Sequence, residues 1–164
     1  IELPDRELAQ FEASGRFDWV SDLADIPRKF GVRNVYGELG TCFANTCVTH
    51  PKLAAALLGT LVRGLGADHV IWGTDCVWWG SPQWQIEAFR RFQIPEQLIE
   101  QYRYQSLTRE IKEQIFGLNA AGLFGVDPAA KRQELPMDYL ERIRMSYLQE
   151  GPQPSHRLYG WVVG

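Results

Sequence analysis

Asp75 is the residue whose type and position most favour chemistry. It follows the apolar run 69–73 (His-Val-Ile-Trp-Gly) after a single threonine. A carboxylate at the end of a buried strand can ligate a metal ion or accept a proton as a general base. An aspartate there can also cap its own turn by accepting backbone N–H groups. Asp75 is therefore the leading candidate for a functional residue, with local turn capping as the alternative.

Glu38 is a second carboxylate that can share this position. It lies near the end of the earlier run 34–40 (Asn-Val-Tyr-Gly-Glu-Leu-Gly), which is short, partly β-branched and closed by glycine. If both runs are parallel strands, their carboxyl ends meet at one edge of the sheet. Glu38 is then either a substrate-binding residue at that edge or a satisfied polar residue of the strand.

Cys42, Cys47, His50 and Cys76 fall in the two segments that follow these runs. Three thiols and an imidazole could make a tetrahedral zinc site. The spacings of five and three positions match no close ligand pair, however, and free cysteines are usually small buried apolar residues. The sequence shows no arrangement of His and Asn of the kind that accompanies a catalytic cysteine. Cys76, which is next to Asp75, is also a candidate substrate-binding residue.

Trp78 and Trp79 lie in the segment after Asp75, where large aromatic side chains need a reason. They can wall a substrate pocket, and we count both as candidate substrate-binding residues. They can equally pack under the C-terminal helices or at a subunit contact. Trp72, within the apolar run, is expected in the core.

A strand–helix–strand unit is predicted to position these residues. Residues 41–50 are expected to form a loop, and Pro51 suits the first position of a helix. Leucine and valine at helical spacing then give an apolar stripe that Gly66 ends. The run 69–73 suits a strand buried on both faces, so the two strands should be parallel. Function in such folds collects in the loops that leave the strands, here 40–50 and 74–82.

The flanking segments are predicted to be mostly helical. The first helix is expected to begin at Phe17 and to end near Ile26, because Pro27 follows. Residues 5–17 are polar and mixed, and residues 151–164 are expected to lie extended on the surface or against a partner subunit. Ser81 and Pro82 should be the N-cap and first residue of the next helix. The remaining helices are expected over 83–91, 95–104, 108–124 and 138–149.

Composition narrows the class of protein. The chain has 164 residues, of which 45% are hydrophobic, enough for one domain with its own core. A net charge of −3 without a basic block disfavours nucleic acid and membrane surfaces as partners. No run of 18 apolar residues is present, so no membrane span is expected. Three cysteines without a disulfide pattern indicate the cytoplasm, and an Ile1 start indicates processing or a fragment.

Two motifs carry a resemblance to a known family. The segments 70–75 (Val-Ile-Trp-Gly-Thr-Asp) and 115–125 (Ile-Phe-Gly-Leu-Asn-Ala-Ala-Gly-Leu-Phe-Gly) resemble the C-terminal part of an amidohydrolase-related protein. That metal-dependent branch contains hydrolases and aminocarboxymuconate-semialdehyde-type decarboxylases. In it, Gly-Thr-Asp ends strand eight of a (β/α)8 barrel and Asn-Ala-x-x-Leu-Phe-Gly closes it. Residues 34–40 resemble strand seven, and the resemblance covers roughly residues 17–126.

The resemblance implies an α/β fold, the C-terminal portion of a (β/α)8 TIM-type barrel. Parallel strands seven and eight with flanking helices would occupy residues 1–126. Residues 127–164 would form a helical and extended C-terminal extension of the same domain. A complete barrel takes roughly 200–250 residues. The chain is therefore expected to be a fragment that needs the missing N-terminal half of the barrel, and to be a homo-oligomer.

The resemblance also implies chemistry. Asp75 matches the strand-eight aspartate, which binds the metal or takes a proton from metal-bound water. The expected protein is a metal-dependent hydrolase acting on a small carboxylate or carbonyl compound. Its cofactor would be a divalent metal, expected to be zinc. The alternatives are a non-oxidative decarboxylase of the same family, or a non-catalytic binding or structural protein on the same fold.

One departure from the family pattern limits what this chain can do alone. The family's His-x-His pair is absent, and the three histidines of the chain are scattered. The other metal ligands are therefore expected outside this chain. The 164 residues alone are expected to be inactive.

Overall fold

A computed structural model of the chain describes residues 3–134 and 138–151, except the side chains of Leu3 and Trp79. Contacts within the chain divide it into two compact units, residues 1–120 and residues 121–164. The first unit holds both strands and the candidate site. The predicted barrel portion (1–126) and its extension (127–164) stay predictions.

The two strands run parallel, as predicted. Strand β1 (Gly37–Glu38) pairs with β2 (Val70–Ile71), with Gly37 opposite Val70 and Glu38 opposite Ile71. Beyond this ladder, the Leu39 backbone N–H donates to the Ile71 carbonyl over 3.1 Å. Each strand is shorter than the predicted runs 34–40 and 69–73, because the chain turns into a helix at Gly40 and leaves the ladder after Ile71. The strand–helix–strand arrangement is confirmed.

Helix α4 (Pro51–Leu65) connects the strands and is the most buried element of the first unit. Pro51 is its first residue and Gly66 follows its end, both as predicted. Every residue from 53 to 62 is buried, so the helix is enclosed on all sides over these turns. It packs against β2 and against four helices, which are α1 (Leu3–Ser14), α2 (Asp18–Phe30), α3 (Gly40–Thr46) and α7 (Glu96–Tyr102).

The contact between α4 and Tyr104 shows how closely its neighbours approach. A Cβ atom at Gly59 would collide with the Tyr104 ring. The Tyr104 hydroxyl lies 2.8 Å from the Thr60 hydroxyl, so the buried phenol has a hydrogen-bond partner. Only glycine at position 59 lets the ring lie flat against the helix.

Helix α2 continues through Pro27, where the sequence predicted an end near Ile26. Proline removes only the bond that its own N–H would donate, and it lies near the end of the helix. The helix ends four residues later, where Gly31 takes a left-handed conformation (φ 66°) and donates its N–H to the Pro27 carbonyl over 2.9 Å. The packing of α2 along α4 lies further up the helix, where Ala24 approaches Gly64 closely.

Helices α1 and α3 lie where none was predicted, as do the short helices over Cys76–Trp79 and Pro128–Glu134. Helix α1 covers part of the polar stretch 5–17, anchored by Phe11, which is 1% exposed. Phe11 stacks on Phe17 at 4.5 Å between ring centroids and contacts Tyr102 at 4.6 Å. Helix α3 replaces most of the predicted loop 41–50. Both depend on contacts between residues that are distant in sequence.

The segment after β2 is helical. The helix predicted to have Ser81 as N-cap and Pro82 as first residue instead begins at Gln83, with Pro82 at the N-cap position. Thr108 is the N-cap of the helix that follows it. Ser81 accepts a hydrogen bond from the Gln83 N–H (3.3 Å), and Thr108 accepts one from the Ile111 N–H (3.3 Å). Between α8 and α9 the chain forms a π-helical segment. The elements are α5 (Cys76–Trp79), α6 (Gln83–Arg91), α7, α8 (Arg109–Glu113), the π-helical segment (Gln114–Leu118) and α9 (Asn119–Leu123).

An aromatic cluster packs these helices onto β2. Trp72 lies 5.0 Å from Phe89, 4.9 Å from Phe116 and 5.9 Å from Phe43 between ring centroids. Phe92 joins at 5.3 Å from Phe43. Such pairs favour tilted and edge-to-face geometries, which are the ones seen here. The core position predicted for Trp72 is confirmed.

The second unit contains α10 (Pro128–Glu134) and α11 (Tyr139–Glu150). The predicted helix over 138–149 is confirmed, with the Asp138 carboxylate accepting from the Glu141 N–H over 2.8 Å. The extended tail predicted for 151–164 lies outside the described residues after Gly151. Among the described helices, none has both the length and the apolarity that crossing a membrane requires.

Asn119 binds the segment that leads into β2. Its side-chain amide donates two hydrogen bonds of 2.7 Å, one to the Ala67 carbonyl and one to the Val70 carbonyl. These carbonyls flank the 3-10 turn Ala67–His69 that leads into β2. The asparagine of the second motif therefore holds the entry to the strand that carries Asp75.

We predict that Asn119→Ala destabilises the fold, because two partly buried carbonyls lose their donor. The free energy of unfolding should fall by about 1–3 kcal/mol. Urea denaturation followed by circular dichroism measures the change. Asn45→Ala is the control, since Asn45 is helical but exposed, and it should change stability by less than about 0.5 kcal/mol. Equal effects of the two substitutions would contradict this role.

Candidate functional site

Asp75 lies at the carboxyl end of β2, where the backbone turns sharply into α5. Its backbone is left-handed (φ 48°, ψ 33°). Among the described residues only Asp75 and Arg103 combine a side chain with positive φ. This conformation costs about 1–2 kcal/mol for a residue other than glycine, so surrounding contacts must hold it.

Thr41 supplies those contacts. Oδ2 of Asp75 accepts a hydrogen bond from the Thr41 backbone N–H (2.7 Å) and a second from the Thr41 hydroxyl (2.6 Å). Thr41 lies in the first turn of α3, where backbone N–H groups have no partner within the helix. Asp75 thus caps α3 through Thr41, which lies 34 residues earlier in the chain. The side chain makes no capping bond to its own helix α5, so local turn capping does not explain it.

Gly40 permits this approach. Its φ is +32°, and a Cβ atom there would lie 2.7 Å from Oδ2 of Asp75. Both hydrogen bonds go to Oδ2, and Oδ1 accepts none from the described residues. The carboxylate is therefore fixed through one oxygen, and the other has no hydrogen-bond donor among the described residues.

Glu38 makes the corresponding contact in the other direction, from β1 to the segment that follows β2. A Cβ atom at Gly73 would collide with the Glu38 carboxylate, so this side chain lies directly over Gly73. Glu38 is exposed, and none of the described residues donates a hydrogen bond to it. Each strand therefore carries a carboxylate near its end that lies over a glycine of the other strand's loop. The two predicted loops do meet at one edge of the sheet.

Sequence reasoning identified Asp75 and Glu38 but missed Gly40 and Thr41. A signal was present, because Gly-Thr follows the first strand at 40–41 and recurs after the second at 73–74. In each Gly-Thr pair the glycine lies under a carboxylate, Gly40 under Asp75 and Gly73 under Glu38. The hydroxyl of Thr41 could not be assigned to Asp75 without knowing which loops are neighbours.

The cysteines and His50 do not form the zinc site that was considered. No three of the His, Cys, Asp and Glu side chains that the structure describes are grouped to hold a metal ion. All three cysteines are free thiols. His50 instead has Nδ1 2.9 Å from the Thr49 hydroxyl and Nε2 3.6 Å from the Asp5 carboxylate.

Cys42 and Cys47 are expected to be thiols of low reactivity. Burial raises the pKa of Cys42, and the negative charges of Glu7 and Asp75 raise it further. Burial also raises the pKa of Cys47. Because the thiolate is the nucleophile and metal ligand, both side chains are poorly suited to either role at neutral pH.

The segment after Asp75 leaves its side chains accessible. Cys76 begins α5 and is half-buried, and Trp78 is 76% exposed. The side chain of Trp79 is outside what the structure describes. A large exposed indole beside the Asp75 loop is consistent with a ligand or a partner subunit, and both remain predictions.

His69 has a structural role, as expected from its place before β2. Its Nε2 lies 2.9 Å from the Arg33 carbonyl, and its Nδ1 lies 3.1 Å from the Asp68 carboxylate. The imidazole also stacks on Tyr36 at 4.8 Å between centroids. These contacts hold the turn at the opposite end of the strand from Asp75.

We predict that Gly40→Ala destabilises the protein more than Gly31→Ala. Both positions have positive φ and should lose about 1–2 kcal/mol of unfolding free energy. Only at position 40 does the new methyl group meet another residue, Asp75. The excess loss of stability at position 40 should disappear when each substitution is made separately in an Asp75→Ala background. Urea denaturation of the four variants measures this, and an excess that survives without the carboxylate would rule out the contact.

A second prediction concerns pH. A pKa raised on folding means that the folded state holds the proton longer than the unfolded state, so stability is lost as pH rises. The decline should begin above about pH 8.5, where thiols of the unfolded chain ionise. Cys42→Ala with Cys47→Ala should reduce the slope between about pH 8.5 and 10. Denaturation at a series of pH values tests this, and an unchanged slope would contradict it. Burial also raises the pKa of Tyr104. This phenol contributes to the loss of stability only at higher pH, because its ordinary pKa is higher than that of a thiol.

Comparison with known proteins identifies the family of the chain. The model of the amidohydrolase family matches residues 20–126, more than half of the chain, and includes both strands, Asp75 and Asn119. No curated protein and no solved structure shows significant similarity to the chain. The matched segment coincides with the region of resemblance expected from the two motifs. The chain therefore belongs to the amidohydrolase family.

Proposed function

We propose that this chain is the C-terminal part of a metal-dependent hydrolase of the amidohydrolase superfamily. Its substrate would be a small carboxylate or carbonyl compound attacked by metal-activated water. The observation that carries the proposal is the Asp75 carboxylate at the carboxyl end of β2. It is held in a left-handed backbone by two hydrogen bonds from Thr41, with Oδ1 left for a ligand.

Members of this family generally use divalent metals, and the described residues fit such an ion only in part. Asp75 offers one oxygen donor, which suits a divalent cation. The described residues hold no group of three or more ligands, so they do not complete a site by themselves. We propose that Asp75 is one ligand or the proton acceptor, and that the remaining ligands lie outside these residues. Zinc is the metal we expect.

The same reasoning suggests how the fold is completed. Within the described residues, β1 and β2 have only each other as neighbours. A (β/α)8 barrel needs six further strands. We propose that the other strands come from the missing N-terminal half of the barrel. The exposed Val77 and Trp78 (80% and 76%) then suit a contact with a second subunit or with substrate.

Four residues near Asp75 are proposed to contact the substrate. Glu38 lies over Gly73 at the same edge of the sheet. Cys76, Trp78 and Trp79 form the short helix α5 that starts directly after Asp75. Trp78 is exposed beside the Asp75 loop, and aromatic side chains commonly line the pockets of small molecules.

Two alternatives share this geometry. A non-oxidative decarboxylase of the same family would use the same aspartate and release carbon dioxide. A non-catalytic binding or structural protein on the same fold is favoured by the lack of a three-ligand group among the described residues. Metal content and product analysis separate the three functions.

The test is Asp75→Asn in the complete protein that contains this chain. Loss of a metal-site carboxylate should lower kcat/KM by a factor of about 10²–10⁴. Metal content, measured by atomic emission, should fall if Asp75 is a ligand and persist if it is only the proton acceptor. Asp22→Asn is the control, because Asp22 is exposed and pairs with Arg16 far from the site.

Unchanged activity in Asp75→Asn would end the assignment of this residue. A complete wild-type protein that binds no metal would favour the non-catalytic alternative. Carbon dioxide release from a carboxylate substrate would select the decarboxylase over the hydrolase.

A further inference from the structure

A cavity in the first unit is lined by residues outside the Asp75 loop. It measures about 580 Å³ and is formed by the end of α6, the segment before α8, and α8 with the π-helical segment. Its lining includes three cationic side chains, one carboxylate and two apolar side chains: Arg90, Arg109, Lys112, Glu113, Leu107 and Phe116. None of these residues belongs to the loops 40–50 and 74–82. The cavity therefore has no part in the proposed metal chemistry.

Lys112 is the unusual member of this lining. The residue is only 8% exposed, and its ammonium makes one hydrogen bond, to the Arg90 carbonyl over 2.8 Å. No carboxylate of the described residues pairs with it. Burial lowers its pKa, as expected for an ammonium without a counter-charge. An ammonium has three donors, so two remain for a ligand.

The two arginines add to this positive character. Arg90 uses one terminal nitrogen for Glu87 (2.8 Å), and Arg109 uses Nε for Glu113 (2.8 Å). Each guanidinium has five N–H groups, so each keeps donors for another partner. Glu113 is the one carboxylate in the lining, and it is already engaged by Arg109. The cavity therefore has an excess of positive charge.

The apolar side chains limit the kind of ligand. Leu107 is 3% exposed, and Phe116 is packed against Phe89 at 4.9 Å between centroids. They give the cavity a fixed apolar wall beside the cationic groups. A volume of several hundred cubic ångströms suits a small organic molecule, larger than a single inorganic ion.

We propose that this cavity binds a small organic oxyanion, a carboxylate or a phosphate ester. The charged head is bound by Lys112 and Arg90, and the apolar part lies against Leu107 and Phe116. The bound anion supplies the counter-charge that Lys112 lacks in the protein alone. This site goes beyond the proposed function and does not depend on it.

The test is isothermal titration calorimetry of the complete protein that contains this chain, with inorganic phosphate and, separately, with benzoate. At least one anion should bind in a saturable one-to-one manner. Arg90→Gln and Lys112→Met should each weaken that binding by about tenfold or more, because each removes a charge-assisted hydrogen bond. Arg91→Gln is the matched control. Arg91 is adjacent on α6 and also pairs with Glu87, but it does not line the cavity.

The outcomes separate the possible ligands. Binding of phosphate alone indicates a phosphate ester, and binding of benzoate alone indicates a carboxylate. Circular dichroism checks the fold of each variant, and the exposed Arg90 keeps the test valid if Lys112→Met does not fold. The proposal is overturned if neither anion saturates, or if Arg91→Gln weakens binding as much as Arg90→Gln.

Discussion

The burial of α4 on every side is the constraint on which the rest of the first unit depends. Residues 53–62 have no exposed face, so each neighbouring element must fit the surface that this helix offers. The small residues Ala54, Ala55, Ala56 and Gly59 let neighbouring elements approach the helix closely. The Tyr104 ring occupies the space that a side chain at position 59 would need. Close packing of this kind tolerates little change in volume. Because α4 also connects β1 to β2, its packing orients both strands in the same direction.

Parallel strands bring the loops that follow them to one edge of the sheet. The protein uses this proximity twice, since Asp75 lies over Gly40 and Glu38 lies over Gly73. In the first case the contact also stabilises α3, whose first turn receives the carboxylate through Thr41. The aspartate of the family motif thus has a structural role in addition to its proposed chemical one. Both roles are compatible, because they use different oxygens of the carboxylate.

The polar groups of the first unit differ in how much they stabilise the fold and in how much hydrogen-bonding capacity they leave unused. Ion pairs such as Arg16 with Asp22 are exposed at both ends and stabilise the fold only slightly. Asp75 and Lys112 are more enclosed, and each keeps hydrogen-bonding capacity that the described residues do not use. Unused capacity of a charged group in a partly buried place is unfavourable unless a ligand completes it. These two residues are the ones on which our two binding proposals rest.

Sequence by itself determined the features that local signals encode. The apolar spacing with Pro51 and Gly66 defined α4, the hydroxyl of Thr108 defined a helix start, and Asp75 was placed after a buried strand. Tertiary structure alone decided α3, because its cap comes from a residue 34 positions away. It also decided that α2 passes Pro27 and that a polar stretch becomes α1 around Phe11. In each case a contact distant in sequence outweighs the local preference, and no local pattern records which distant residues meet.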